Sequence, residues 1–170
     1  MKIDPFTFQL EEPGDDAEIE TLHSNVFGPG RFARAAYRLR EGVRHEPDLS
    51  FVSHAGQELV ASVRLTRIAI GGRPALLLGP LVVKPEFKGQ GAGKALVRMA
   101  VAAAQAGGHR VVLLVGDEPY YGPLGFVGLK PYAITLPAPV DPNRVLVAGL
   151  MEGALEGLCG PATRSERKTP

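Results

Sequence analysis

Lys88-Gly89-Gln90-Gly91-Ala92-Gly93-Lys94 puts three glycines within five positions, between an apolar run and a helix-forming run. A loop of that kind is suited to holding an anion. The first amides of a helix lack an intrahelical partner, and the helix dipole adds partial positive charge beside them. Phosphate groups bind such ends, and glycine lets the backbone approach them closely.

Three phosphate-binding patterns compete for this stretch. The nucleotide P-loop needs G-x-x-x-x-G-K-[ST]. Gly93-Lys94 supplies part of it, but Lys88 stands at the first glycine and Ala95 at the magnesium-binding hydroxyl. The dinucleotide fingerprint G-x-G-x-x-G fits Gly89 and Gly91 and then meets Lys94. The third pattern is [QR]-x-x-G-x-[GA] after a strand ending V-x-P. Here it reads Val83-Lys84-Pro85, then Lys88-Gly89-Gln90-Gly91-Ala92-Gly93. With "LGPLVVKPEFKGQGAGKALV" and "DEPYYGPLGF", this segment resembles motif A of the GNAT superfamily, the acetyl-CoA-dependent N-acetyltransferases, in a small bacterial branch. The likeness follows element order over residues 5–150 and is most specific in 78–126. Lys88 stands where the family has Arg or Gln, and a long cation there can still lie beside phosphates.

The resemblance implies an enzyme that transfers an acetyl group from acetyl-CoA to a primary amine by direct attack. It implies that Lys88, Gly89, Gln90, Gly91, Ala92, Gly93 and Lys94 cradle the pyrophosphate. The pantetheine arm would pair with the backbone of Leu81, Val82 and Val83 as an added strand. Residue types agree: Gly79-Pro80 inside this strand fits a bulge or an unpaired edge. A backbone N–H near Val83 would stabilise the oxyanion. The leaving thiolate needs a proton, and in the family a tyrosine four residues before the Gly of a G-F pair gives it. Tyr121 has that position before Gly125-Phe126, with Tyr120 its neighbour. For deprotonating the amine, Glu58, His54 and Glu118 stay open, as does a water relay. The acceptor is a small-molecule or peptide amine, and the last strands could mediate a homodimer. A reading from another class is a non-catalytic acyl-CoA-binding or regulatory module.

The elements that must position these groups can be traced from residue patterns. "PGDDAEIETLHSNVFG" reads as a helix capped by Asp15 with Glu18 completing a capping box. "PGRFARAAYRLREG" reads as a second helix, with Arg31, Arg34, Arg38 and Arg40 on a solvated face. Phe51 and Val52 start a strand that turns at Gly56. "ELVASVRLTRIAI" alternates like a half-buried strand, and Gly71-Gly72 turns it into the apolar "ALLLGPLVV". After the glycine loop come a helix from "KALVRMAVAAAQAGG" and a buried strand from "HRVVLLVGD", which implies a parallel pair. "FVGLKPYAITL" and "RVLVAGL" read as a last pair of strands. The expected fold is α+β, GNAT-like: a mixed, mostly antiparallel sheet with one parallel splayed pair, flanked by helices. Residues 1–159 are expected to form one domain, and the polar "GPATRSERKTP" from Gly160 a frayed tail.

Composition excludes several classes. The formal net charge of +1 offers no field for a nucleic-acid backbone. One cysteine, Cys159, allows no internal disulfide and is expected to be inert in a reducing compartment. His23, His45, His54 and His109 show no metal-ligand spacing, so no metal is expected. No apolar stretch is long enough to span a bilayer and no signal peptide is visible, so a soluble cytoplasmic protein is expected.

Overall fold

Turn glycines draw the first half of the sheet. A computed structural model of the protein describes residues 5–165. Strands β1 (Phe6–Leu10), β2 (Phe51–Ala55), β3 (Glu58–Ile70) and β4 (Arg73–Val83) pair in that order, each antiparallel to the next. Gly71 and Gly72 sit at φ 54° and 80° in the β3–β4 hairpin, the positive pair that such a turn requires. Any side chain at Gly71 would also collide with the Cys159 carbonyl oxygen.

After β4 the chain passes through the glycine loop into α3 (Ala92–Ala106), which follows two earlier helices, α1 (Asp16–Phe27) and α2 (Ala35–Arg40). β5 (Val111–Val115) then returns parallel to β4. α4 (Glu118–Tyr121) is one turn long. β6 (Val127–Gly128) and β8 (Val145–Gly149) pair antiparallel to one another, and β8 pairs antiparallel to β5. The sheet therefore runs β1-β2-β3-β4-β5-β8-β6. β7 (Ile134–Thr135) lies parallel to β9 (Gly160–Arg164), which pairs antiparallel to the far end of β3.

Helices cover both faces. On one, Leu96, Val97 and Ala100 of α3 pack on Val63, Leu65, Leu76, Val112 and Phe126. On the other, Leu39 of α2 joins Ile68, Leu77, Leu113 and Val147, while Ile19 and Leu22 of α1 meet Val52, Leu59 and Val82. Each fully buried Leu or Ile contributes about 1.5–3 kcal/mol.

Five sequence expectations are corrected. First, the N-terminal capping box lies one turn earlier than expected, at Glu12 and Asp15. The Asp15 carboxylate accepts the Glu12 N–H at 2.9 Å. Pro13 starts a 3-10 turn there, so Glu18 is not its partner. Second, the second helix is broken. Pro29–Ala33 is a 3-10 turn, Arg34 is extended (φ −70°, ψ 145°), and α2 spans six residues. Arg31 is buried, and its Nη1 donates to the Gly28 carbonyl at 2.7 Å. Third, β3 is covered on both sides. Ser62, Arg64 and Thr66 are buried because α1 lies on the face that the alternation assigns to solvent. Arg64 is tolerated there because Glu11, Asp16 and Glu20 enclose its guanidinium at 2.7, 2.9 and 3.2 Å. Burial alone would lower its pKa, but hydrogen bonds to Glu11 raise it. Fourth, "FVGLKPYAITL" is two short strands, β6 and β7, separated by a turn in which Tyr132 has φ 63°. Fifth, the stretch from Gly160 begins as strand β9, because β3 outruns β2 and leaves Ile68–Ile70 with a free edge. Residues 166–170 of the expected tail lie outside the described residues.

Candidate active site

The central feature is a gap in the sheet. β4 and β5 share only the pairs Leu76–Val112 and Leu77–Leu113. Beyond Leu77 the two strands part. On its other side β4 stays paired to β3, but with a bulge. Val63 faces Leu81 and Leu65 faces Leu78, so two steps along β3 match three along β4. Gly79, at φ 132°, and Pro80 supply the extra residue.

The ladder tells which amides face the gap. Lys84 donates its N–H to the Val60 carbonyl on β3 at 2.8 Å. Amides alternate sides along an antiparallel strand, so Val82 also faces β3. Leu81 and Val83 then turn their N–H and C=O groups toward the gap. Val82 instead buries its side chain against α1.

The gap opens into a cavity of about 1120 Å³. Leu81, Val82, Val83, Lys88, Gly89, Gly91, Ala92, Gly93, Lys94, Tyr120 and Tyr121 all line it. Gln90 does not; its side-chain Nε2 donates to the Glu86 carbonyl at 3.4 Å, back across the preceding turn. The first intrahelical bond of α3 runs from Ala95 N–H to the Gly91 carbonyl. The amides of Ala92, Gly93 and Lys94 are therefore left at the helix mouth. Gly91 sits there at φ 95°, with open space around a would-be Cβ. A Cβ at Gly93 would lie 2.8 Å from the Tyr120 hydroxyl and 3.2 Å from a Val83 methyl. Glycine at 93 thus lets strand end, tyrosine and helix mouth meet.

α4 presents the two tyrosines. The Tyr121 ring packs edge-on to Phe126 at 6.0 Å and so close to Gly116 that any side chain at 116 would strike it. Burial pushes its hydroxyl up to about 12, with Tyr120 and Asp117 adding to the effect. Burial also raises the Tyr120 hydroxyl. Tyr121 therefore stays protonated at neutral pH, with a hydroxyl able to donate a hydrogen bond. Lys94 lies 5.4 Å from the Tyr120 ring centroid.

Composition and pattern missed Arg40. The sequence pattern places it on a solvated face, yet it lines the cavity. Its Nη1 would lie 3.1 Å from a Cβ built on Gly79, directly beside the bulge. Its guanidinium stacks 4.4 Å from the Tyr37 ring centroid. Burial lowers its pKa to about 10, so it remains a cation at neutral pH. The available signal was the Tyr37–Arg40 spacing of three on a helix whose Ala35 and Leu39 face inward. Arg34 also lines the cavity, as do Asp117 and Arg144, an exposed pair at 3.0 Å. None of the three proposed bases reaches it among the described lining residues. Glu58 pairs instead with Lys84 at 2.6 Å. Among the described residues no cluster of three metal-ligating side chains occurs, and no helix is long and apolar enough to cross a membrane.

A family profile described as Acetyltransferase (GNAT) family matches residues 16–128. The uncharacterized N-acetyltransferase YjhQ of Escherichia coli is 29% identical over 148 residues, 83% of this chain and 82% of that protein. Among solved structures, the GNAT N-acetyltransferase YhbS from Escherichia coli in complex with CoA superposes with a TM-score of 0.81. The identity is 22%, and 98% of this chain and 93% of that one are covered. A GNAT acetyltransferase from Brucella melitensis in complex with acetyl-CoA gives 0.59 at 24% identity, over 89% and 98%.

Proposed function

Since the chain belongs to the GNAT acetyltransferase family, we propose that it moves the acetyl group of acetyl-CoA onto a primary amine by direct attack, with Tyr121 as the acid. The observation that carries this reading is the continuity of one cavity from the gap beside Leu81 and Val83 to the mouth of α3. The residues present fit the coenzyme. Lys88 and Lys94 bring positive charge to the glycine end. The amides of Ala92, Gly93 and Lys94 suit phosphate oxygens. Leu81 and Val83 offer an unpaired strand edge to an amide-bearing arm. Relatives crystallised with CoA and with acetyl-CoA share the fold, which favours the same cosubstrate here.

Acetyl-CoA, when bound, supplies an activated thioester. The strand amides past the bulge donate to the oxygen that gains charge as the amine attacks. Tyr121 donates its hydroxyl hydrogen toward the departing sulfur. The proton lost by the amine passes to water.

The test is a thermal melt with CoA, followed by thiol release from acetyl-CoA across classes of amine. CoA binding only the folded chain raises the melting temperature, and at one hundred times its Kd contributes about 2.7 kcal/mol. No shift with CoA, and no thiol release with any amine, would remove the reading.

A further inference from the structure

A second, smaller pocket of about 260 Å³ adjoins the cavity at the bulge, and Tyr37, Arg40 and Pro80 line both. Its wall carries buried polar atoms that the described residues leave without a well-formed hydrogen bond. His23 Nε2 is buried without a hydrogen-bond partner, and the Tyr37 hydroxyl is buried with only the Arg31 guanidinium near it, out of good hydrogen-bond geometry, so its own proton is free to donate. Buried polar groups are nearly always paired, so an acceptor and a donor with capacity to spare on one small pocket point to a ligand.

The unpaired cation says which kind. Arg64 also lines the pocket, but Glu11, Asp16 and Glu20 occupy its guanidinium. Arg40 has no carboxylate partner among the described residues. Tyr37 offers it only an aromatic face. Glu20 is already shared between Arg64 at 3.2 Å and His23 Nδ1 at 3.5 Å, and Glu41 is exposed at the rim. Arg40 is thus a desolvated cation without a counter-ion, and it lies where the bulge meets the pocket. A desolvated guanidinium with a hydroxyl donor beside it matches a carboxylate, one donor for each oxygen. With the Nδ1 proton turned to Glu20, His23 Nε2 presents a lone pair that suits an N–H of the substrate.

We propose that the acceptor is an amino acid: an amine bearing a carboxylate close to its nitrogen, which Arg40 and the Tyr37 hydroxyl hold in this pocket. The proposal rests on the acetyl-CoA reading above and adds the acceptor class to it.

The experiment compares each common amino acid with its C-terminal amide and its decarboxylated amine, using acetyl-CoA and the wild-type chain. At least one free acid is expected to exceed its amide in kcat/KM by about tenfold or more, the range for a charge-assisted contact left unmade. Arg40→Met is expected to bring that acid down to the level of its amide. Tyr37→Phe is expected to raise KM for the acid with kcat held within about threefold. CoA-induced stabilisation, followed in every variant, controls for folding and for the cosubstrate. If Arg40→Met does not fold, Tyr37→Phe decides. Amides or simple amines acetylated as well as the acids would overturn the proposal. So would an Arg40→Met variant that loses acid and amide in equal proportion, because that marks a structural role. Absence of any CoA effect on the wild type fails the underlying reading instead.

Discussion

Replacing Tyr121 by Phe removes one oxygen and leaves the ring that packs against Gly116 and Phe126. No hydrogen bond to that hydroxyl contributes to its pKa, so stability is expected to change by less than about 0.5 kcal/mol. The catalytic effect follows from proton affinities. The hydroxyl is held at about 12, whereas an ordinary thiol lies near ~8.5. The difference, about 3.5 units at ~1.36 kcal/mol each, makes complete transfer to a free thiolate uphill by about 5 kcal/mol. On the proposed mechanism Tyr121 therefore acts as a hydrogen-bond donor to the sulfur while the bond breaks, and solvent finishes the protonation. A hydrogen bond to a charged group contributes about 1.5–3 kcal/mol, so kcat should fall about 10- to 150-fold. That is the low end of the usual general-acid range. The assay is thiol release at saturating amine, with KM for acetyl-CoA expected to stay within about twofold, alongside Tyr120→Phe as a control. A Tyr121→Phe enzyme with kcat within twofold of wild type would refute the reasoning, as would a larger loss in Tyr120→Phe.

Gly91→Val should weaken CoA binding, seen as a smaller melting shift, because the new side chain enters the cavity and must adopt φ 95° at a cost of about 1–2 kcal/mol. An undiminished shift would mean that this loop does not hold the phosphates. Arg64→Met leaves Glu11, whose side chain is 4% exposed, with His45 alone. The expected loss is about 3–5 kcal/mol in urea unfolding, and an unchanged midpoint would contradict the buried cluster. Burial depresses the His23 pKa to about 4 from 6.5. The unfolded chain then takes the proton first, so stability present above pH 6.5 declines as pH falls toward 4, by up to about 3 kcal/mol. His23→Gln should flatten unfolding free energy between pH 6.5 and 4; an unaltered slope would show that His23 is not the titrating group.

The glycine loop, both hairpin turns and the parallel pair were legible because each is a local event: a positive φ, a helix start, a change of period. Gly79-Pro80 was legible for the same reason, as a pair that does not fit a regular ladder. What escaped was set by partners distant in sequence. Arg40 reads as one more surface arginine until Arg34 breaks the helix and turns the last residue of α2 toward the bulge. Arg64 alternates as a solvent-facing residue, and only Glu11, Asp16 and Glu20, more than forty positions away, make its burial tolerable. Gly160–Arg164 carries one buried side chain, Ala162, too weak a pattern to mark a strand, so its place depends on the unpaired end of β3.

The short seam between β4 and β5 has a mechanical consequence. Two register pairs, Leu76–Val112 and Leu77–Leu113, join the slab of β1–β4 to that of β5, β8 and β6. The architecture resembles a clothes-peg, stitched at one end and agape at the other. On the proposed reading, the coenzyme arm held in the jaws supplies the missing rung between the slabs. On this view the free chain is an unfinished sheet, and each catalytic cycle completes it and then takes it apart.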